Sequence, residues 1–534
     1  MFDLDVEQLA QQLNQWLDDE RVVAAVCAVG LVLIALRYRS LRKRKTKLGK
    51  ATGRDPWHPL TPLFAWSDVE SFTLQDSYCG TLALAQTGGG KTTGPIATMF
   101  YSMLRAGFGA MVLLVKDDRR FFEDICRRAG RARDVIVFSP NEPRRWNFLN
   151  HELARKGRGA GLTENIVNLF TTTMEVVDRN SRQGGGRESD PYWQLACRQL
   201  LRNLTDLAVL SLGTINIRDF YRIVISAPES VKEAHSEHWM KQSFCAWCLN
   251  QAMEKCPESR RRDLAIVTDY FLSEFPKISP KTRGTIVSTF SVMADSLQRG
   301  ILSELFCGET NITPEETEAG KIILVDMPVI EYGAVGALAN GLWKYGFQRA
   351  IEKRDVRKSP RPVGLVIDEF QALLTTADQQ FLSTCRGARV ATLVATQNVS
   401  NLYAALGGRQ EAEAEVDSLC GNLCTKIFGC NGDFVTNKWA SDMIGQSRQM
   451  FFNSGNSYQP ADALSGVFGL GQGPQTSAGM SEQMCHEIEP SIFPALSCGG
   501  YANGGCIQTL VFAAGKVFRD TGKPWRFHTF HQNL

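Results

Sequence analysis

The stretch Gly80-Thr-Leu-Ala-Leu-Ala85-Gln-Thr-Gly-Gly-Gly90-Lys91-Thr92 decides how the rest of the chain is read. Its first six residues are small or apolar, as a strand buried in a parallel sheet requires. Three glycines, a lysine and a threonine follow, and then a helix-forming segment from Thr93 toward Leu104. This is the Walker A pattern, with Ala85 where glycine is usual; a small residue there is enough to permit the turn out of the strand. Gly88, Gly89 and Gly90 let successive backbone N–H groups curl around phosphate oxygens without a Cβ clash. The helix that starts at Thr92 and Thr93 adds the positive end of its dipole. In such a loop Lys91 reaches the β and γ phosphates and the Thr92 hydroxyl ligates Mg²⁺. The competing reading is a glycine-rich hairpin turn, which does not suit a loop between a buried strand and a helix.

A phosphate cradle hydrolyses nothing without a group to hold the metal and one to activate water. Arg361-Pro-Val-Gly-Leu-Val-Ile-Asp368-Glu369 is an apolar run ending in two carboxylates. At the carboxyl end of a strand beside the loop, Asp368 would orient Mg²⁺ and Glu369 would take a proton from the attacking water. Alone, such a pair also suits a helix N-cap. Ala388-Arg-Val-Ala-Thr-Leu-Val-Ala-Thr-Gln397-Asn398 is a second buried run ending in polar residues. In a parallel sheet it is expected beside the Asp368 strand, with the Gln397 amide near the γ-phosphate as a sensor; the alternative is an ordinary turn residue. Arg386 and Arg389 precede this strand. Arg386 is the candidate to reach a neighbouring subunit's nucleotide and stabilise transition-state charge. A plain surface arginine is the competing reading for Arg386 and the preferred one for Arg389.

The chain has 534 residues, 44% hydrophobic and 22% charged, which describes a globular protein of two or three domains rather than a disordered one. A net charge of +3 is too small to name a partner. Fifteen cysteines without regular spacing read as thiols in a reducing compartment. His235, His238, Cys245 and Cys248 form an HxxH–CxxC series with zinc-like spacing. On one helix they would not converge, and buried cysteines with surface histidines are the preferred reading. Val22–Leu36 contains no polar residue, carries acidic residues before it and Arg37 to Lys50 after it. Fifteen helical residues span only about 22 Å of a core about 30 Å thick, but Arg21 and Arg37 can snorkel. The positive flank places the following body in the cytoplasm of a single-pass protein anchored in a lipid bilayer.

Several weaker segments join the Walker residues to one family. Met111-Val-Leu-Leu-Val115 precedes Lys116-Asp117, and Val135–Pro140 leads to Trp146-Asn-Phe-Leu149. Asp190-Pro-Tyr-Trp-Gln-Leu-Ala196, Ile322-Ile-Leu-Val-Asp-Met-Pro328, the Arg386–Gln397 spacing and Asn422–Gly432 complete the set. In combination, from about residue 75 to 520, the sequence resembles the conjugative, type IV secretion coupling ATPases of the TraG/TraD type. The resemblance implies a RecA-like P-loop domain of α/β class, interrupted by an all-α domain and assembled as a homo-hexameric ring. It implies ATP and Mg²⁺ as cofactors. Its implied partners are DNA, bound without regard to sequence, a relaxase or effector proteins, and membrane proteins of a secretion channel. Many members look built with two membrane helices where this sequence has one, and no long acidic stretch follows Phe527. A related FtsK/HerA-like DNA translocase is the first competing reading. A membrane receptor switched by ATP without pumping DNA is the second.

The expected organisation is therefore a short extracytoplasmic 1–21, a membrane helix 22–36, a basic linker 37–60, nucleotide-binding parts 61–150 and 276–534, and an all-α domain 151–275. Gln183–Arg187, Arg260-Arg-Arg262 and the basic residues from Arg119 to Arg145 are candidates for touching a phosphate backbone, with a solvated surface as the simpler reading of each. Asn453–Ser481, rich in Gly, Ser, Gln and Asn, is expected as a long surface loop or a poorly ordered excursion.

Overall fold

The computed structural model describes residues 56–156, 161–181, 191–457 and 475–532. Short apolar runs form the strands β1 (Pro62–Ala65), β2 (Ser71–Thr73), β3 (Thr81–Leu84), β4 (Gly109–Leu114) and β5 (Val135–Phe138). They continue as β6 (Ile322–Asp326), β7 (Val363–Ile367), β8 (Val390–Thr396) and β9 (Thr425–Phe428). Every residue of β3, β4, β7 and β8 is buried. Strands covered on both faces cannot alternate polar and apolar side chains, and they pair in parallel. Two further strands, β12 (Cys506–Ala513) and β13 (Trp525–His531), extend the sheet as an antiparallel hairpin. The order is β13-β12-β9-β3-β8-β7-β4-β6-β5, parallel from β9 to β5.

Thr81↔Leu393 to Leu84↔Thr396 joins β3 to β8, and Val363↔Val390 to Ile367↔Val394 joins β8 to β7. The Asp368 strand and the Gln397 strand are neighbours, as expected, with the phosphate-loop strand beside the second. All three end on the same edge of the sheet, where ligands bind in open α/β folds.

Between β5 and β6 the described residues form helices and turns only, from Phe148 to Phe306. The helical run thus continues past 275, through Pro280–Gln298 and Gly300–Phe306. The composition of those two helices resembles that of the helices flanking the sheet, so the sequence carried no boundary there. Helix starts follow local chemistry: Asn147, Ser230, Ser236, Ser243 and Ser279 each accept a backbone N–H of the first turn. An aromatic cluster fastens this segment to the sheet. Trp146 and Trp343 lie 4.4 Å apart, and Phe138 of β5 approaches Trp343 at 4.9 Å and Phe306 at 5.4 Å. A Cβ on Gly346 would meet the Trp146 ring at 2.3 Å, so only glycine permits that approach.

Of the stretch 453–481 expected as a surface loop, residues 458–474 lie outside the described residues, and the two ends, 453–457 and 475–481, are paired strand rather than loop. β10 (Gln446–Ser457) pairs with β11 (Gln475–His486) in an unbroken twelve-residue antiparallel ribbon. Its ladder satisfies backbone groups through the paired strands themselves, so a polar, glycine-containing composition does not forbid it. Residues 1–50, with the apolar Val22–Leu36, and the Gln183–Arg187 loop lie outside the described residues. Among the described residues no helix is long and apolar enough to cross a membrane.

Candidate functional site

The groups named from the sequence meet at the carboxyl edge of β3 and β7. Lys91 and Glu369 form an ion pair at 3.0 Å, both nearly buried. The Thr92 hydroxyl donates to the Asp368 carboxylate at 2.6 Å, across 276 residues of chain. Gly88 and Gly90 have φ of +75° and +78°, and a Cβ on Gly88 would meet nothing within 4 Å, which leaves its backbone open to a ligand. A Cβ on Gly89 would collide with Ala85 Cβ and Gln86 O at 2.9 Å, so the small Ala85 and the glycine fit together. A hydroxyl and a carboxylate are hard oxygen donors of the kind Mg²⁺ takes, and Lys91 supplies the charge a triphosphate needs.

Glu369 sits in the left-handed region at φ 55°, ψ 51°. A non-glycine residue held there is strained by about 1–3 kcal/mol, and such strain gathers at functional sites. Its carboxylate is also gripped by Lys116, which hydrogen-bonds the same oxygen as Lys91, and by Gln371 Nε2 at 2.7 Å. Burial alone would push the Glu369 carboxyl up. The Lys116 and Gln371 hydrogen bonds and the Lys91 charge outweigh burial and hold it down at about 2. Burial, and next the Asp368 charge, push the Asp118 carboxyl up on the other flank.

Lys116 and Gln371 were not named as site residues from the sequence. Lys116 follows β4, and the β4–β7 register of Leu113↔Ile367 sets it beside Asp368 and Glu369. Only the strand order reveals that, because the two segments are some 250 residues apart.

Gln397 stands on the same edge. Ala85 N–H donates to Thr396 O at 3.4 Å, and Asn431 Nδ2 donates to the Gln397 carbonyl at 2.8 Å. Arg386 stands elsewhere. It is exposed in the turn before β8, at the opposite edge of the sheet. Seven strand residues rise about 20 Å, so Arg386 cannot serve the phosphate loop of its own chain. Arg389 is tied down structurally, with Nη1 donating to Pro360 O at 3.0 Å.

The basic candidates are mostly engaged. Arg119 pairs with Glu123, Glu142 and Asp326, and Arg131 pairs with Asp134 and donates to three backbone carbonyls. Arg127 bridges Asp124, and Arg260 bridges Asp206 and Asp263. Cys245 and Cys248 are in the core of the Phe244–Lys255 helix while His235 and His238 face solvent. Those four do not converge, because one helix turn sends its side chains away from the preceding histidines.

Residues 362–481 match the family described as the TraM recognition site of TraD and TraG. The solved structure of the bacterial conjugative coupling protein TrwBdeltaN70, in an unbound form, is similar over 92% of this chain and 91% of its own, with a TM-score of 0.56 at 14% identity. The chain is similar in fold to that coupling protein, and the family match is confined to residues 362–481. TrwB with the non-hydrolysable ATP analogue ADPNP (14% identity) and TrwB with ADP and Mg²⁺ (15%) are similar to the same extent, each with a TM-score of 0.56 over 92% of both chains. No curated protein sequence matches the chain. The coupling-protein fold thus agrees with the family read from the sequence, and its sheet and phosphate loop account for the Lys91–Glu369 and Thr92–Asp368 contacts.

Proposed function

We propose that this coupling protein hydrolyses ATP at the Lys91–Glu369 site and uses the energy to deliver a relaxase–DNA complex or effector proteins to a type IV secretion channel. The observation that carries the reading is the convergence of Lys91, Thr92, Asp368 and Glu369 at one sheet edge. When bound, Mg²⁺ would neutralise phosphate charge, with Thr92 and Asp368 as its protein donors. Lys91 holds the β and γ phosphates. Glu369 orients the attacking water and takes its proton, and Lys116 and Gln371 hold its carboxylate in place. Because Lys91 and Lys116 share one Glu369 oxygen, a γ-phosphate that draws Lys91 away loosens the grip on that carboxylate and makes it more basic. The nucleotide-bound TrwB structures support ATP and Mg²⁺ as ligands of the same fold.

The position of Arg386 supports a ring. Far from the phosphate loop of its own chain and exposed, it is free to reach a neighbour's nucleotide, and a closed hexamer supplies one at every interface. Gln397, between β8 and the phosphate loop, would report the γ-phosphate. The description of the family matched by residues 362–481 supports recruitment of a protein partner there. A single-pass anchor at Val22–Leu36 in the bacterial inner membrane, with the body in the cytoplasm, completes the proposal.

The test is ATP turnover by the purified full chain in detergent, alone and with single- or double-stranded DNA. DNA-stimulated turnover is expected. A rate indifferent to DNA but raised by a relaxase or effector would replace DNA delivery with an ATP-switched receptor.

A further inference from the structure

Phosphates occupy only one half of a nucleotide, and the other half needs a place on the same sheet edge. Asp368 and Glu369 extend from β7, two strands to one side of β3. A triphosphate whose γ end lies there points its nucleoside the other way, over β9, β12 and β13. The C-terminal segment is built against the loop on that side. A Cβ on Gly90 or Gly94 would meet the Ile507 side chain at 2.4 and 2.7 Å. Gln532, just after β13, donates its Nε2 to the Thr93 hydroxyl at 2.8 Å. Its Oε1 accepts the Gly500 N–H at 2.6 Å. One side-chain amide thus joins the end of the phosphate loop to the start of a second glycine-rich turn.

That turn, Gly499-Gly-Tyr-Ala-Asn-Gly-Gly505, is closed on itself. Gly505 N–H and Asn503 N–H both donate to Gly500 O, at 2.9 and 3.1 Å, and Gln532 N–H donates to Gly505 O at 2.9 Å. Gly500 and Gly504 take φ of +76° and +60° to make it. Tyr501, at its crest, is fully exposed (107%), the most exposed large hydrophobic side chain among the described residues. A tyrosine ring normally covers apolar surface and reaches a polar partner with its hydroxyl. Here a hydrogen-bonded turn, tied through Gln532 to Thr93 of the phosphate loop, leaves the ring in water.

We propose that Tyr501 is the platform on which the nucleobase of the bound nucleoside triphosphate stacks, and that Gln532 fixes the distance between platform and phosphate loop. This subsite rests on the nucleotide reading of Lys91 and Glu369. Stacking uses the π face that every base has, so the platform discriminates little between purines, and ATP and GTP should bind within a few-fold of each other.

The experiment compares equilibrium binding of magnesium ATP and magnesium tripolyphosphate, which has no base, to the full chain and to Tyr501→Ala and Tyr501→Phe. Loss of a stacked base weakens ATP binding by about tenfold. Tyr501→Ala is therefore expected to lose that factor for ATP and none for tripolyphosphate, and Tyr501→Phe to bind both as the wild type does. Unchanged ATP affinity in Tyr501→Ala, or equal losses for both ligands, would overturn the platform while leaving the phosphate site standing. A wild-type chain that binds neither ligand overturns the nucleotide reading, and the platform with it.

Discussion

The phosphate edge of the sheet and the β10–β11 ribbon are built on opposite principles. At the phosphate edge, buried strands of four to seven residues stop together, and the candidate site residues Lys91, Asp368, Glu369 and Gln397 lie on the segments that follow them. In the ribbon, two strands of twelve residues satisfy one another's backbone and bury little. Cross-strand pairs share a face, so Phe452 with Met480, and Arg448 with Met484, form a row in which Phe452, Met480 and Met484 are all exposed. A two-stranded ribbon is only marginally stable alone, while the sheet is held by packing on both faces. The comparison teaches that precise placement of chemistry here comes from burial of the strand behind each group, and not from hydrogen-bond ladders alone.

The sharpest way to break the contrast is at the phosphate edge. Glu369→Gln removes the proposed base while keeping its shape, and ATP turnover is expected to fall by about 10²–10⁴-fold, with nucleotide binding retained. A steady-state assay showing turnover near wild type would remove Glu369 from the mechanism. Next in size is the packing behind that edge. Trp343→Ala empties a fully buried site against Trp146 and Phe138, and is expected to cost about 3–5 kcal/mol in urea unfolding.

A smaller effect separates the charges. Because the Glu369 carboxyl is held at about 2, below its ordinary 4.5, its ion pairs stabilise the fold above about pH 4.5 and are lost as pH falls toward 2. Between about pH 5 and pH 3, thermal melts should therefore show the wild type losing more stability than Glu369→Gln. Lys116→Met should narrow the difference by removing one partner. The smallest effect belongs to the ribbon. Phe452→Ser should change global stability by no more than about 0.5 kcal/mol, and a loss comparable to that of Trp343→Ala would mean that the ribbon is part of the core.

The same contrast explains what the sequence revealed. β3, β4, β6, β7 and β8 were legible because burial on both faces writes an apolar run into the chain, and glycine, lysine and carboxylates end several of those runs. Lys116, Gln371 and the Gln532–Thr93 contact were not, because each depends on which strands lie side by side. The helical run to Phe306 was underestimated, since helices of the insertion and helices covering the sheet share one composition. The ribbon was read as a loop because its composition is polar and glycine-containing, and the pairing of backbones leaves no periodic mark. Arg386 was legible as a residue before a strand, but its distance from its own phosphate loop required the parallel register of β3 and β8.

Binding of a fluorescent ATP analogue with magnesium to wild type and Lys91→Ala tests most directly whether Lys91 and Glu369 face one shared triphosphate. Saturable binding to the wild type that is lost in Lys91→Ala, and that persists without turnover in Glu369→Gln, is the predicted result. Equal affinity of wild type and Lys91→Ala would contradict it.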